Sequence, residues 1–335
     1  MTFALSTRWN SRRHSDGGQM VDEILAAGFS RIELGYDLRR DLVDGIRSRV
    51  RDQSVQVVSV HNYCPVPMGV PRGHPEIWTL AHSDPAVRRQ AVEHTAESAR
   101  LAAELGAGTL VVHAGYVEMR AISPRLIRLA EKNRLESWWG RRLVAALDRK
   151  RERLAPRHLD WLVESLKRLV PALEECGVNL GLENLPSWEA VPSEREFSSL
   201  VDRVGSDRIR YWHDIGHGAI RECMGWIAHE RLLERLKPWL VGMHIHDVRF
   251  PARDHVLPGE GNLDFSVFAD YSRLPIPLVL EPEREVSAEA LKTACDFLRT
   301  VWVGRPAPDA VRKRVSLYDA MPARVARVSP PEGFR

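Results

Sequence analysis

Eight short, β-branched apolar runs recur along the chain, separated by longer stretches in which apolar positions repeat with helical spacing. We interpret the short runs as buried strands, at residues 3–6, 31–35, 55–61, 109–115, 178–184, 209–214, 240–247 and 277–283. Helices are predicted over 86–105 and 158–176, and each is closed by a glycine. Pro171 indicates a kink or a break in the second helix.

This alternation predicts parallel strands joined by right-handed helical crossovers. Eight such units in about 300 residues fit a closed (β/α)8 TIM barrel better than an open doubly wound sheet. The open sheet also lacks support because no G-x-G-x-x-G motif follows the first strand. We therefore expect a single α/β barrel over residues 1–303, with a long helical insertion at 116–158 and a C-terminal tail at 304–335.

The composition predicts a soluble globular protein, since 44% of the residues are hydrophobic and 28% are charged. No apolar run approaches the roughly 20 residues of a membrane helix, so no membrane partner is expected. A net charge of +3 gives no basis for a nucleic-acid partner. The four cysteines have no CxxC spacing and the first residues lack a signal-peptide pattern, which predicts reduced thiols and a cytoplasmic location.

Seven of the eight predicted strands carry a carboxylate or an imidazole near the carboxyl end, where the catalytic groups of a barrel lie. These residues are Glu33, His61, His113, Glu183, Asp214, the pair His244 and His246, and Glu281. So many carboxylates would repel one another unless a cation lay among them. Oxygen and nitrogen ligands together suit Mn²⁺, Zn²⁺, Co²⁺ or Mg²⁺, so we expect a divalent metal cofactor.

Eight short motifs follow one another between about residues 20 and 300: GFSRIELG, SVHNYCP, VVHAG, GLENLP, HDIGH, GMHIHD, PGEGNLDF and VLEPE. In this order they resemble the xylose isomerase-like TIM-barrel superfamily, which includes sugar epimerases, inositol-pathway enzymes and multi-zinc abasic-site endonucleases. The resemblance covers most of the chain. It implies the barrel fold, a metal site at the strand ends and a small sugar-like substrate, and members of such families often form homo-oligomers.

Carried over by position, the shared metal site of this superfamily falls on Glu183, Asp214, His244 and Glu281. His244 is preferred to His246 because the family pattern has an acid three residues after the ligand, as Asp247 is here. The epimerase members imply an enediolate mechanism, in which the metal-bound Glu183 and Glu281 remove and return a proton beside a carbonyl. The residues that the resemblance implies for substrate binding are Glu189, His217, Arg249, His61 and His113.

The endonuclease members imply a competing function, a multi-zinc phosphodiesterase. Additional metal ligands would then come from His61, His113, His217, His246 and His255. That branch has an Asp two residues before the equivalent of His255, where this chain has Arg253, and it lacks a counterpart of Glu189. We therefore favour the isomerase or epimerase. A metal-binding module without catalysis is the third alternative.

The insertion at residues 116–158 is rich in arginine and carries Trp138 and Trp139. Two interpretations stay open from sequence alone. The insertion is either a solvated helical excursion or a lid over the metal site whose arginines meet an anionic substrate, such as a phosphate or a carboxylate.

Overall fold

The computed structural model describes residues 2–303, and its centre is a closed barrel of eight parallel strands in the order β1-β10-β7-β6-β5-β4-β3-β2. An additional antiparallel hairpin, β8-β9, follows β7. The strands are β1 (Ala4–Ser6), β2 (Arg31–Leu34), β3 (Gln56–His61), β4 (Thr109–Val112), β5 (Asn179–Glu183), β6 (Ile209–Asp214), β7 (Leu240–Ile245), β8 (Asp247–Arg249), β9 (Arg253–Val256) and β10 (Leu278–Leu280). The predicted TIM barrel is confirmed.

Helices surround the barrel, and an apolar layer lies between them and the outer faces of the strands. They are α1 (Gly17–Ala26), α2 (Arg40–Arg51), α3 (Pro85–Glu104), α4 (Ser123–Glu131), α5 (Trp138–Cys176), α6 (Phe197–Val204), α7 (Ile215–Cys223), α8 (His229–Leu236) and α9 (Ala288–Trp302). Within the described residues none of these helices is long and apolar enough to cross a membrane. All four cysteines are free thiols.

A small second core fills the inside of the barrel and is dominated by Trp212, which is fully buried. Two glycines on the flanking strands make room for this ring. A Cβ on Gly242 would lie 2.0 Å from the Trp212 ring, and one on Gly181 would lie 3.2 Å from its Cβ. The Trp212 ring also meets the His244 ring edge to face, with centroids 5.0 Å apart, so this core supports a residue of the candidate site.

Of the kink or break predicted at Pro171, the break does not occur, since α5 runs for 39 residues through both Pro156 and Pro171. A proline inside a helix costs about 3 kcal/mol. The second half of α5 offsets this cost, since it buries a row of leucines completely against the barrel. These are Leu162, Leu166, Leu169 and Leu173. The C-cap predicted at Gly177 is present, with a left-handed φ of 69°.

The insertion consists of α4 and the first part of α5, and it follows β4 at the carboxyl end of the barrel. Its tryptophans lie on the surface: Trp138 is 52% exposed and Trp139 is 70% exposed. Arg142 stacks on the Trp138 ring at 4.7 Å. The predicted tail at 304–335 lies outside the described residues.

Candidate metal centre

The four residues predicted as metal ligands meet at the carboxyl end of the barrel. Glu183 and Asp214 are the last residues of β5 and β6, His244 lies in β7, and Glu281 follows β10 directly. Parallel pairing aligns Asp214 with His244 across two neighbouring strands. All four are nearly inaccessible, with exposures between 0% and 5%. Because strands in a closed parallel barrel all end at one rim, residues far apart in sequence come together here.

Three carboxylates surround Nδ1 of His244. Glu183 Oε1 lies 3.3 Å away, Glu281 Oε2 lies 3.4 Å away and Asp214 Oδ2 lies 3.8 Å away. Burial opposes protonation of His244, but Glu33, Glu281 and Glu183 outweigh it and raise its pKa well above the usual value. Three buried carboxylates thus meet around one imidazole nitrogen. The ligand atoms of Glu183, Asp214 and His244 lie within 4.8 Å of one another and fit a divalent cation, and Glu281 adds an oxygen 3.4 Å from His244 Nδ1. We call these four residues the central group.

A second set of ligand-type atoms surrounds the other oxygen of Glu183. His113 Nε2 lies 3.1 Å and His61 Nε2 3.3 Å from Glu183 Oε2. The atoms of His61, His113 and Glu183 lie within 4.8 Å of one another, and we call these residues the first histidine group. Burial opposes protonation of His113, yet Glu183 and Glu76 raise its pKa to about 9.

A third set consists of His217, His246 and His255, whose ligand atoms also lie within 4.8 Å of one another. We call it the second histidine group. It touches the central group, since His246 Nε2 lies 3.0 Å from Asp214 and His217 Nδ1 lies 3.3 Å from Glu183 Oε1. His255 is brought in by the β8-β9 hairpin, and its backbone N–H donates to His246 Nδ1 at 2.9 Å.

Most of these imidazoles have one nitrogen fixed by an oxygen acceptor. Nδ1 lies 3.1 Å from the Asn62 carbonyl in His61 and 3.0 Å from the Glu76 carboxylate in His113. The same atom lies 2.9 Å from the Asn184 carbonyl in His217 and 3.0 Å from the Glu281 carbonyl in His255. Such anchoring fixes the orientation of the ring and leaves the opposite nitrogen as the candidate ligand, as in histidines that bind metals.

Two predicted substrate-binding residues make other contacts. The Glu189 carboxylate accepts hydrogen bonds from the backbone N–H groups of Ile122 and Ser123 and from the Ser123 hydroxyl, so it holds the start of α4. Arg249 lies on the hairpin with its side chain 49% exposed, and it pairs with Glu260. The structure therefore places Glu189 under the insertion and Arg249 at the surface.

Asp247 is the acid whose position favoured His244 over His246 as the metal ligand in the sequence. In the structure its carboxylate holds a loop together. Its carboxylate accepts four backbone hydrogen bonds, from residues 248, 259, 261 and 263, over 2.8–3.0 Å. It thereby closes the loop after the β8-β9 hairpin. A Cβ on Gly261 would lie 2.2 Å from Asp247 Oδ1, so the loop needs glycine there.

Three further charged residues border the site: Glu33, which the sequence pattern placed among the strand-end residues without a specific role, and Arg8 and Glu76, which it did not single out. Arg8 donates to Glu281 Oε1 and stacks on Tyr36 at 4.7 Å. Glu76 accepts from His113, and Glu33 lies against His244. Arg8 lies in a short 3-10 helix after β1 and Glu76 in the loop after β3, so neither stands at the end of a predicted strand.

A family model described as xylose isomerase-like TIM barrel matches residues 21–301. The chain belongs to this family. Among curated proteins it is similar to two uncharacterized proteins of Methanocaldococcus jannaschii. MJ1614 is 27% identical over 110 residues, which are 33% of this chain and 41% of that protein, and MJ1311 is 24% identical over 181 residues, 53% and 51% respectively. The chain thus spans about half the length, or less, of these relatives.

Solved structures with a similar fold carry the names of sugar epimerases. A D-tagatose 3-epimerase-like protein has a TM-score of 0.64 and 19% identity, covering 94% of this chain and 100% of its own. The 3-keto-D-glucoside 4-epimerase YcjR of E. coli has a TM-score of 0.65 and 16% identity, covering 90% and 99%. An L-ribulose 3-epimerase has a TM-score of 0.63 and 16% identity, covering 98% and 100%. At these identities the likeness shows the shared fold.

Proposed function

We propose that this protein is a divalent-metal-dependent isomerase or epimerase that acts on a sugar or a related polyol. One observation carries the proposal: the carboxylates of Glu183 and Glu281 lie 3.3 and 3.4 Å from the same atom, His244 Nδ1. Two carboxylates that lie beside the same metal ligand can act on the same substrate carbon, where one removes a proton and the other returns it. The epimerase names of proteins with this fold support the same reaction class.

In this proposal Glu183, Asp214, His244 and Glu281 hold Mn²⁺, Zn²⁺, Co²⁺ or Mg²⁺. The bound cation supplies Lewis-acid chemistry, which polarises the substrate carbonyl and makes the neighbouring C–H acidic. The side chains do the remaining work. Glu183 and Glu281 exchange the proton at that carbon, while the buried site keeps water from competing for it.

The two carboxylates differ in their surroundings. Burial favours the neutral acid in both, but imidazoles, His113 and His244 foremost, hold the pKa of Glu183 well below its usual value. For Glu281 the group that opposes the effect of burial most strongly is Arg8, a permanent cation, and the pKa of Glu281 is also lowered well below its usual value. Both residues are therefore ionised at neutral pH.

The test is exchange of a substrate proton with solvent. The purified protein, loaded with Mn²⁺ or Co²⁺, is incubated in D₂O with a panel of ketoses and aldoses. Deuterium incorporation beside the carbonyl is followed by NMR. Glu183→Gln and Glu281→Gln should each abolish incorporation. Glu104→Gln, which changes an exposed carboxylate paired with Arg47, should not. Full exchange by either site variant would refute the proposed proton transfer.

A second candidate, a multi-metal phosphodiesterase, has a specific observation in its favour. The two histidine groups add further ligand-type atoms on both sides of the central group, and a single-metal isomerase does not need them. Metal analysis separates the candidates. One tightly bound ion per chain and no cleavage of bis(p-nitrophenyl) phosphate would support the isomerase. Two or three Zn²⁺ per chain with cleavage lost in His255→Ala would support the phosphodiesterase.

A further inference from the structure

We propose that Glu33 is a positioning residue for His244, which it holds so that Nδ1, and not Nε2, faces the metal. The inference rests on the metal site of the proposed function, although not on its reaction. It concerns a buried carboxylate outside the ligand set, on the far side of the His244 ring from Glu183 and Glu281.

The contacts of Glu33 are those of an anchor. Both of its oxygens lie close to His244 Nε2, at 3.1 and 3.0 Å, and its exposure is 0%. The register of β2 and β3 places Ser59 beside it, and the Ser59 hydroxyl donates to Glu33 Oε2 at 2.8 Å. Within residues 2–303 the polar partners of the Glu33 carboxylate are therefore the Ser59 hydroxyl and the His244 imidazole.

A buried carboxylate needs a charged or strongly polar donor to offset the cost of leaving water. His244 is the only such donor recorded for Glu33 in the described part of the chain, so the Nε2 proton must stay on the ring. The ring itself is fixed from its faces. It stacks on His61 with an interplanar angle of 6° and meets the Trp212 edge at 66°.

His244 is thus oriented opposite to its neighbours. His61 and His113 have Nδ1 against an oxygen, and their Nε2 atoms face Glu183 of the central group at 3.3 and 3.1 Å. In His244 the Glu33 carboxylate lies against Nε2, and Nδ1 faces the carboxylates of the central group. A carboxylate on the outer nitrogen also raises the basicity of the inner one, which strengthens its bond to a metal.

The experiment measures metal binding directly. Co²⁺ affinity of the full-length protein is determined by calorimetric titration for wild type, Glu33→Ala, Glu33→Gln and two controls. Loss of an outer-shell partner typically weakens metal binding by about 10- to 100-fold, and we expect this for Glu33→Ala. Glu33→Gln keeps an acceptor oxygen, so it should recover part of the loss. The controls are Ser59→Ala, with a smaller effect, and Glu104→Gln, an exposed carboxylate paired with Arg47, which should leave the affinity unchanged.

A second measurement reads the ring nitrogen itself. In the Co²⁺-loaded protein the Nε2 proton of His244 should give an exchangeable, hyperfine-shifted NMR signal that survives in Glu33→Gln and disappears by solvent exchange in Glu33→Ala. Wild-type affinity in Glu33→Ala, or an unchanged signal, would overturn the inference while leaving the isomerase proposal intact. The expected losses in a protein without isomerase activity would sustain the inference and refute the function.

Discussion

Replacing His229 by glutamine should make the protein less sensitive to acid. His229 and His213 form a buried pair with Nε2 atoms 2.9 Å apart. Tyr211 donates to Asn184 Oδ1, an oxygen that also accepts from the Asp214 N–H. Since the Tyr211 proton is used there, His213 Nδ1 must donate to the Tyr211 oxygen at 2.7 Å. His213 Nε2 is then an acceptor, and His229 supplies the proton between the two rings.

Adding a second proton to this buried pair is unfavourable, and the size of the effect on stability follows from the lowered pKa values of the two histidines. Burial lowers the pKa of His229 from 6.5 to about 4, and burial together with His229 also lowers that of His213. The unfolded chain therefore binds protons more tightly at this position, so stability falls as pH drops from 6.5 towards 4. For His229 alone, linkage gives a loss of about 2 kcal/mol between about pH 7.5 and pH 5.

The assay is urea unfolding of wild type and His229→Gln across this pH range. Glutamine keeps an N–H donor for His213 but cannot be protonated, so the wild type should lose about 2 kcal/mol more than the variant on acidification. His82→Gln, at a histidine whose side chain is 37% exposed, is the matched control and should run parallel to wild type. Parallel curves for wild type and His229→Gln would refute the reasoning.

Three further predictions concern packing and the site. Gly242→Ala places a methyl group 2.0 Å from the Trp212 ring and should destabilise the protein by about 1–3 kcal/mol, seen as a lower Tm; an unchanged Tm would show that the ring can move. Arg8→Met removes the cation that lowers the pKa of Glu281, so the acid limb of the kcat/KM profile should shift to higher pH. Glu189→Gln should loosen the insertion, measured as faster proteolysis between 116 and 158; an effect on KM alone would instead indicate substrate contact.

The barrel and its rim could be predicted because both follow from local pattern. Apolar runs that alternate with helical stretches allow few topologies, and a closed parallel barrel brings every strand end to one face. Glu183, Asp214, His244 and Glu281 could therefore be grouped from sequence, and the structure places their side chains together. The strand ends indicated a wider set of rim residues, and the family resemblance implied these four among them.

Other features depended on energies that sequence spacing does not contain. Pro171 argues for a broken helix, but the buried leucines of α5 outweigh the cost of a proline. Glu189 is predicted from the sequence to bind substrate, yet in the structure its carboxylate is held by the backbone N–H groups at the start of α4. Such outcomes depend on segments that are distant in the chain.

The sequence by itself determined the barrel, the family and the set of ligand-type residues at the rim, because strand periodicity and parallel closure are properties of short segments repeated in order. Only the tertiary structure decided which nitrogen of each imidazole is anchored, that Glu33 lies behind His244, and that Arg8 reaches Glu281. Those facts are set by contacts between residues up to 273 positions apart in the chain, and the distances and burial at such contacts exist only after the barrel has closed.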